Sequence, residues 1–232
     1  MTIVSRAMMR RLNIGCGQSA TPGWINYDNS PSIALARLPQ PLISLLGSIG
    51  ILSALTQKFA AYCRTHSIRY ASALSIPEES SSVDVVYSSH MLEHLDRTEA
   101  RRCVQECYRI LKPGGILRLV VPDLKQRIDY YLLARDGDLL LESFIFDLEK
   151  PRGLRSWLTR AITGGREHHW MYDYASLTRL VESCGFRDTV ELQPGQTSIG
   201  EPGDLDLREQ EPTWSLYLET RRPLQEAAGP AA

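Results

Sequence analysis

The sequence lacks an excess of charge of either sign, paired cysteines and any internal repeat. Its 232 residues carry 26 Lys and Arg against 27 Asp and Glu, a formal net charge of −1, which argues against nucleic acid as a partner. Five cysteines, an odd number without paired spacing, indicate reduced thiols and a cytoplasmic setting instead of a disulfide scaffold. No apolar run precedes a small-residue cleavage site near the N-terminus, so we expect no signal peptide.

A second absence is local, because residues 38–57 contain no charged side chain. The stretch is long enough to cross a bilayer, but Pro39, Pro41, Gly47 and Gly50 make a spanning helix a poor interpretation. Three alternatives stay open from the sequence: a buried lid, the surface of a homodimer, and a segment that lies on the inner face of a membrane.

Apolar strand patterns alternate with helical patterns along the chain, which is typical of an α/β fold. We predict one Rossmann-like domain over residues 1–232, with a seven-stranded doubly wound parallel sheet and helices on both faces. The predicted strands are Arg11 to Ile14, Trp24 to Asp28, Ile68 to Ala71, Val83 to Ser88, Gly115 to Val121, Thr189 to Leu192 and Trp214 to Thr220. Two longer segments, 29–67 and 135–169, are expected to form lids beside the carboxyl ends of the strands, where ligands bind in such sheets.

A glycine loop, GCG at residues 15–17, follows the first predicted strand, and Asp28 ends the second. Glycines let backbone amides approach a ligand, and a carboxylate at the end of the next strand accepts hydrogen bonds from both ribose hydroxyls. This combination predicts half of a nucleoside-binding site. The interval from Gly15 to Asp28 is shorter than the ~20-residue spacing of dinucleotide sites. We therefore expect a truncated first helix or a loop there, which argues against an NAD-dependent dehydrogenase.

Two more motifs follow in order, LEH at residues 92–94 after the fourth strand and LKPGG at 111–115 before the fifth. With the LNIGCG loop and the GWINYD strand, they make the chain resemble class I S-adenosylmethionine-dependent methyltransferases over residues 10–220. The resemblance is to the methyltransferase type 11 group and its relatives in glycan biosynthesis. It implies S-adenosylmethionine as cofactor and O-methylation of a sugar or glycan intermediate. The runner-up is methylation of a secondary-metabolite or quinone-like hydroxyl or amine, and a noncatalytic binding module is an alternative of a different class.

The same resemblance assigns the loop amides to the amino-acid end of the cofactor, Asp28 to its ribose, and the residues after the third strand to its adenine. The predicted cofactor contacts are Asn13, Gly15, Cys16, Gly17, Asp28, Ser72, Ala73, Leu74 and Ser89. Ser19 stands where the family has a third glycine, and Ser72 where it usually has an aspartate that accepts from the adenine amino group. Because serine accepts hydrogen bonds without charge, we expect weaker cofactor affinity.

Methyl transfer to a hydroxyl needs a proton acceptor, or a cation that lowers the pKa of the hydroxyl. Four of the five histidines fall in two short segments, 90–94 after the fourth strand and 168–169 at the end of the second insertion. The predicted catalytic residues are His90, Glu93, His94, Asp123, His168 and His169. Asp123 is equally consistent with an N-cap of the helix that follows it, and His94 with a residue that orients its own helix.

Glu93 and His94 also match the end of the ExxEH motif that binds a divalent cation in ubiquinone-pathway O-methyltransferases, which this region resembles, with His90 in place of the first glutamate. A metal held by these three residues would be zinc or manganese more readily than magnesium, and the sequence leaves its presence open. The three residues satisfy the HxxEH pattern of metalloproteases as well. We rank that interpretation lower because the pattern there lies within a helix, whereas here it follows a strand.

Part of the second insertion, from Lys150 to Arg166, is basic and has no acidic residue. Its apolar residues recur at helical spacing, which predicts an amphipathic helix. Its arginines either face solvent or bind the phosphate of a nucleotide-linked or lipid-linked acceptor. In the second case, residues 38–57 would face acyl chains.

Overall fold

The computed structural model describes residues 9–144, 168–206 and 214–224, which contain a seven-stranded sheet. The strands are β1 (Arg11–Ile14), β2 (Ile25–Asp28), β3 (Arg69–Tyr70), β4 (Val83–Ser89), β5 (Leu111–Pro122), β6 (Arg187–Leu192) and β7 (Ser215–Arg221). They lie in the order β3-β2-β1-β4-β5-β7-β6. The first five pair in parallel, whereas β7 runs antiparallel to β5 and β6. The Rossmann-like α/β prediction is confirmed, with a mixed sheet in place of a wholly parallel one, since an antiparallel neighbour can be reached without a helical crossover.

Seven α-helices and one 3₁₀ turn connect these strands in the described ranges. They are α1 (Ser32–Leu35), α2 (Gln40–Ser48), α3 (Ala54–Thr65), the 3₁₀ turn Leu92–His94, α4 (Arg97–Ile110), α5 (Leu124–Ala134), α6 (Gly137–Ser143) and α7 (Tyr174–Ser183). α4 ends at Ile110, and β5 begins at the next residue, four residues before the predicted start at Gly115. The earlier start arises because Leu111 pairs with Val83 of β4.

One face of the sheet is covered by α4 and α7. Cys103 and Cys107 of α4 pack with Leu177 and Val181 of α7 in the largest buried cluster. All five cysteines are free thiols. The apolar spacing of both helices thus forms the core on this face.

The opposite face shows the effect of the short interval between the glycine loop and Asp28. Residues 15–24 form turns, not a helix, as the spacing predicted. The segment 193–206, which follows β6, packs here instead. Its Ile199 and Leu205 join the buried cluster around Trp24, whose indole N–H donates to the Pro202 carbonyl at 3.2 Å. This segment therefore covers sheet surface that a longer first helix would occupy.

A buried ion cluster attaches segment 193–206 to the sheet. Arg118 of β5 is fully buried and donates to Glu219 of β7 at 2.8 Å and to Asp206 at 2.5 Å. Thr197 and Ser198 also donate to the Glu219 carboxylate. Burial alone would raise the pKa of Glu219, but these hydrogen bonds and the charge of Arg118 outweigh it and lower that pKa. This cluster was not predicted from the sequence, although an arginine in one apolar strand and a glutamate in its neighbour were the available signal.

The first predicted insertion, residues 29–67, folds into α1, α2 and α3. α3 is part of the core, because its Phe59 and Cys63 pack against Cys16 of the glycine loop. α2 is different, since it exposes Leu45 and Ile49 by 56% and 60%. Within the described ranges, no helix combines the length and apolar character needed to cross a membrane. The basic helix predicted between Lys150 and Arg166 lies outside the described residues.

Candidate active site

The glycine loop at the carboxyl end of β1 has a conformation that glycine favours. Gly15 and Gly17 have φ of +65° and +49°, in the left-handed region that most residues avoid. A Cβ at Gly15 would lie 2.3 Å from Cγ of Met91, so a side chain there would clash. Met91 therefore lies directly against the loop, and the residues around it adjoin the predicted cofactor site.

Asp28 contacts the same loop from the end of β2. One carboxylate oxygen accepts from the Gly17 N–H at 2.9 Å, and the other from the Ser30 N–H at 2.7 Å. Each carboxylate oxygen has a second lone pair, so both can still accept from a pair of ribose hydroxyls. The partly exposed position of Asp28 leaves those lone pairs within reach of a ligand.

Asn13 and Ser19, two polar residues of this region, support the loop from inside. The Asn13 amide donates to the Ser19 carbonyl at 2.8 Å and to the Thr21 hydroxyl at 3.2 Å. The Ser19 hydroxyl donates to the Cys16 carbonyl at 3.0 Å. Ser19, which stands where the family has a third glycine, thus closes a turn by its own hydrogen bond. The Cys16 side chain is buried beneath the loop.

The predicted adenine contacts follow β3. The Ser72 hydroxyl accepts from the Leu74 N–H at 3.2 Å, and Ser72 forms an isolated bridge with Ser75. This serine shapes its own turn. Ala73 and Leu74 are partly buried beside it, and Ser89 lies buried at the end of β4.

His90 follows β4 directly and has an unusual backbone conformation, with φ of +50°. Non-glycine residues in this region are uncommon and concentrate at functional sites. Its Nδ1 lies 3.3 Å from a carboxylate oxygen of Glu93, and its Nε2 lies 3.3 Å from the Ser215 hydroxyl of β7. The side chain is 27% exposed, so the imidazole is oriented by a buried carboxylate and still reachable from solvent.

Glu93 is the centre of the histidine cluster, which comprises His90, Glu93, His94 and His168. Its side chain is 1% exposed, and His168 Nε2 lies 4.0 Å from the same oxygen that faces His90. The rings of His94 and His168 meet edge to face, 5.1 Å apart. Burial lowers the pKa of His168, and the nearby charge of Glu93 opposes that effect.

Backbone hydrogen bonds hold the two segments of the cluster together. The Glu93 carbonyl accepts from the N–H groups of His169 and Trp170 at 2.7 and 3.1 Å. Histidines that are about 75 positions apart in sequence therefore converge on one carboxylate. His169 belongs to this junction through its backbone, whereas its side chain is exposed.

Asp123, the remaining predicted catalytic residue, has a structural role. It is the N-cap of α5 and accepts from the Lys125 N–H at 2.8 Å, and it pairs with Tyr172 in an isolated bridge. The N-cap interpretation is confirmed, and a catalytic role for Asp123 stays a prediction.

Comparison with known proteins gives the family context of this geometry. Residues 47–119 match a family model described as a methyltransferase domain. Over 56 residues the chain is 36% identical to a probable S-adenosylmethionine-dependent methyltransferase of Mycolicibacterium smegmatis. This matched stretch covers 24% of this chain and 21% of that relative. These matches support a class I S-adenosylmethionine-dependent methyltransferase domain, with S-adenosylmethionine as its cofactor.

Similar solved structures include S-adenosylmethionine-dependent methyltransferases. One from Methanosarcina mazei is 18% identical with a TM-score of 0.48, covering 93% of each chain. One from Thermotoga maritima is 15% identical with a TM-score of 0.49, covering 93% of this chain and 82% of its own. The matched stretch spans about a fifth of the Mycolicibacterium relative's length.

The glycine loop and Asp28 fit this cofactor by their own geometry. The methyltransferase domain needs a backbone surface for the amino-acid end and an acceptor for the ribose diol. The positive φ of Gly15 and Gly17 sets the conformation of the loop backbone, and Asp28 supplies the acceptor beside it.

We expect Asp28→Ala to weaken S-adenosylmethionine binding by about 1 to 3 kcal/mol, because the ribose hydroxyls lose a charged acceptor. Calorimetric titration of both proteins measures the change. Asp129→Ala, which removes an exposed carboxylate of α5, serves as the control. Affinity unchanged in Asp28→Ala would remove Asp28 from the site.

Proposed function

We propose that this protein transfers the methyl group of S-adenosylmethionine to a hydroxyl of a sugar or glycan intermediate. The observation that carries the proposal is the position of His90 and Glu93 on either side of Met91. His90 precedes Met91 directly, and Glu93 follows it by two residues. Met91 lies against Gly15 of the cofactor loop. A proton acceptor thus adjoins the segment where the cofactor binds. Methyl transfer to a neutral hydroxyl needs such a group.

The position of His90 beside Glu93 supports a role as general base. When the ring proton is on Nδ1, which lies 3.3 Å from the Glu93 carboxylate, the neutral ring has its lone pair on Nε2. The cofactor, when bound, supplies an electrophilic methyl group on sulfur. The acceptor oxygen forms the new C–O bond as the S–CH₃ bond breaks, and the hydroxyl proton passes to His90 Nε2. Glu93 stabilises the resulting imidazolium and keeps the ring oriented.

The surroundings of the histidine cluster favour a sugar as the acceptor. Trp170 is 40% exposed and is attached to Glu93 by its backbone N–H. The guanidinium of Arg97 lies 4.7 Å from the centre of its indole ring. An exposed indole gives an apolar, flat surface for a sugar ring, and the guanidinium supplies fixed donors for hydroxyl or phosphate oxygens.

Turnover tests this proposal directly. Purified protein is incubated with S-adenosylmethionine and a panel of sugars, nucleotide sugars, quinone-like phenols and amines, and S-adenosylhomocysteine is measured. Formation of this product with a sugar hydroxyl supports the proposal. Product formed only with phenols or amines would favour the runner-up acceptors. If S-adenosylmethionine and S-adenosylhomocysteine both fail to bind, the noncatalytic module becomes the better interpretation.

The exposed apolar residues of α2 support contact with a membrane surface or with the acyl chain of a lipid-linked acceptor. Leu42, Leu45 and Ile49 are exposed on one side of a helix without charged residues, and burying them in the interfacial region of a bilayer stabilises binding. We expect the protein to float with anionic lipid vesicles and the double variant Leu45→Glu/Ile49→Glu to lose this binding. Ser44→Glu, on another side of the same helix, should retain it. Equal flotation of all three proteins would contradict membrane contact through α2.

A further inference from the structure

Glu93, His94 and His168 form a cluster with the composition of a metal site. One nitrogen from each histidine and one carboxylate oxygen lie within 4.8 Å of one another. Glu93 and His168 are buried and His94 is half-buried. The first two ligands come from the 3₁₀ turn after β4, and His168 comes from a distant part of the chain.

The Glu93 carboxylate supplies a second observation. Its side chain is 1% exposed, and among the described residues neither of its oxygens has a hydrogen-bond partner. A buried carboxylate without hydrogen bonds is costly. His168 Nδ1 is also buried without a partner among those residues. Two of the three side chains in this cluster therefore have buried polar atoms that make no hydrogen bond to the described residues.

Arg127 is a buried cation whose charge interacts with Glu93. Burial lowers the pKa of Arg127, and the charges of Asp123 and Glu93 oppose that shift. Its guanidinium lies 5.5 Å from the ring centre of Trp214.

We infer that Glu93, His94 and His168 bind one divalent transition-metal ion of the zinc class. Two imidazoles and a carboxylate suit zinc, whereas magnesium prefers oxygen ligands alone. Tetrahedral bonds of about 2.0–2.2 Å place ligand atoms about 3.3–3.6 Å apart, so the side chains must close inward by an ångström or so. Three protein ligands leave one position open, and this position binds the acceptor oxygen. Only that last step rests on the proposed function.

The inferred ligand set differs from the one that the sequence suggested. His90 is replaced by His168, because the geometric cluster contains His168 and not His90. His90 instead holds Glu93 at 3.3 Å through Nδ1 and faces Ser215 through Nε2. The two sets make opposite predictions for variants of His90 and His168.

The experiment titrates the tag-free, chelator-treated full chain with zinc chloride in a calorimeter. We expect one ion per chain. Glu93→Gln and His168→Gln should each weaken binding at least 10- to 100-fold, since loss of even an outer residue of a metal site has that effect. His66→Gln, which changes an exposed histidine of the α3 C-cap, should leave affinity unchanged. Circular dichroism of each variant verifies its folding.

Cobalt(II) gives a measurement on the unaltered protein. Intense visible absorption bands of a tetrahedral ion, displaced by zinc at one equivalent, would support the site even if a variant fails to fold. Three results would each overturn the inference. They are weak octahedral bands, a zinc affinity of His168→Gln equal to that of the unaltered protein, and loss of the ion in His90→Gly with retention in His168→Gln. Turnover is measured on the same samples. Turnover by the metal-free protein overturns only the binding of the acceptor oxygen to the ion, whereas ion binding without turnover overturns only the proposed function.

Discussion

If His90 is the base of the proposed reaction, methyl transfer by His90→Gly is expected to fall by about 10²- to 10⁴-fold, the range for loss of a general base, with little change in affinity for S-adenosylmethionine. Glycine is the suitable replacement because His90 has φ of +50°, which glycine adopts without strain. Single-turnover rates and calorimetric titration of the two proteins measure the two quantities. The split between rate and affinity is the expected sign of a residue that acts on the acceptor proton.

Added imidazole distinguishes a base from a structural residue. The His90→Gly variant leaves space beside the Glu93 carboxylate, so free imidazole should restore part of the rate in a concentration-dependent way. His66→Gln is the control and should retain the activity of the unaltered protein. A His90→Gly variant that keeps its full rate, or one that loses rate and thermal stability together without rescue, would exclude His90 as the base.

Arg118→Met is expected to destabilise the fold by about 3 to 5 kcal/mol at neutral pH, because it leaves the buried carboxylates of Asp206 and Glu219 without their cation. Urea denaturation measures the difference. Arg118 holds segment 193–206 to the sheet through the Gln196 carbonyl and the Asp206 carboxylate. We therefore also expect the variant to expose the buried face around Trp24, which tryptophan fluorescence reports.

The pH dependence of this loss follows from the charges. The lowered pKa of Glu219 contributes stability that is present above its ordinary value and is lost as pH falls through the folded value. Without Arg118 that lowering decreases, so the deficit of Arg118→Met should become smaller in acid, where the carboxylates protonate. Lys125→Met, which breaks an exposed ion pair of α5, should change stability little at any pH. A deficit for Arg118→Met as small as this control would show that the buried cluster does not stabilise the fold.

Much of the fold could be predicted from the sequence because its signals are local. Strand positions follow apolar runs, and the short interval from Gly15 to Asp28 correctly predicted turns in place of the first helix. Cys103 and Cys107 lie in the core at helical spacing. The predicted start of β5 was wrong because Pro113 and Gly114 indicate a turn. In the structure Leu111 pairs with Val83, so residues 111–114 belong to the strand.

The sequence by itself determined the order of strands and helices, the glycine loop with its acidic partner, and the concentration of histidines in two segments. These features depend on periodicity, backbone conformation and spacing, which are properties of residues close together in the chain. The tertiary structure alone decided that segment 193–206 covers the sheet, and that His168 joins Glu93 and His94 in a group of three potential metal ligands. Such contacts join residues far apart in the chain, and only packing in three dimensions brings their side chains within bonding distance.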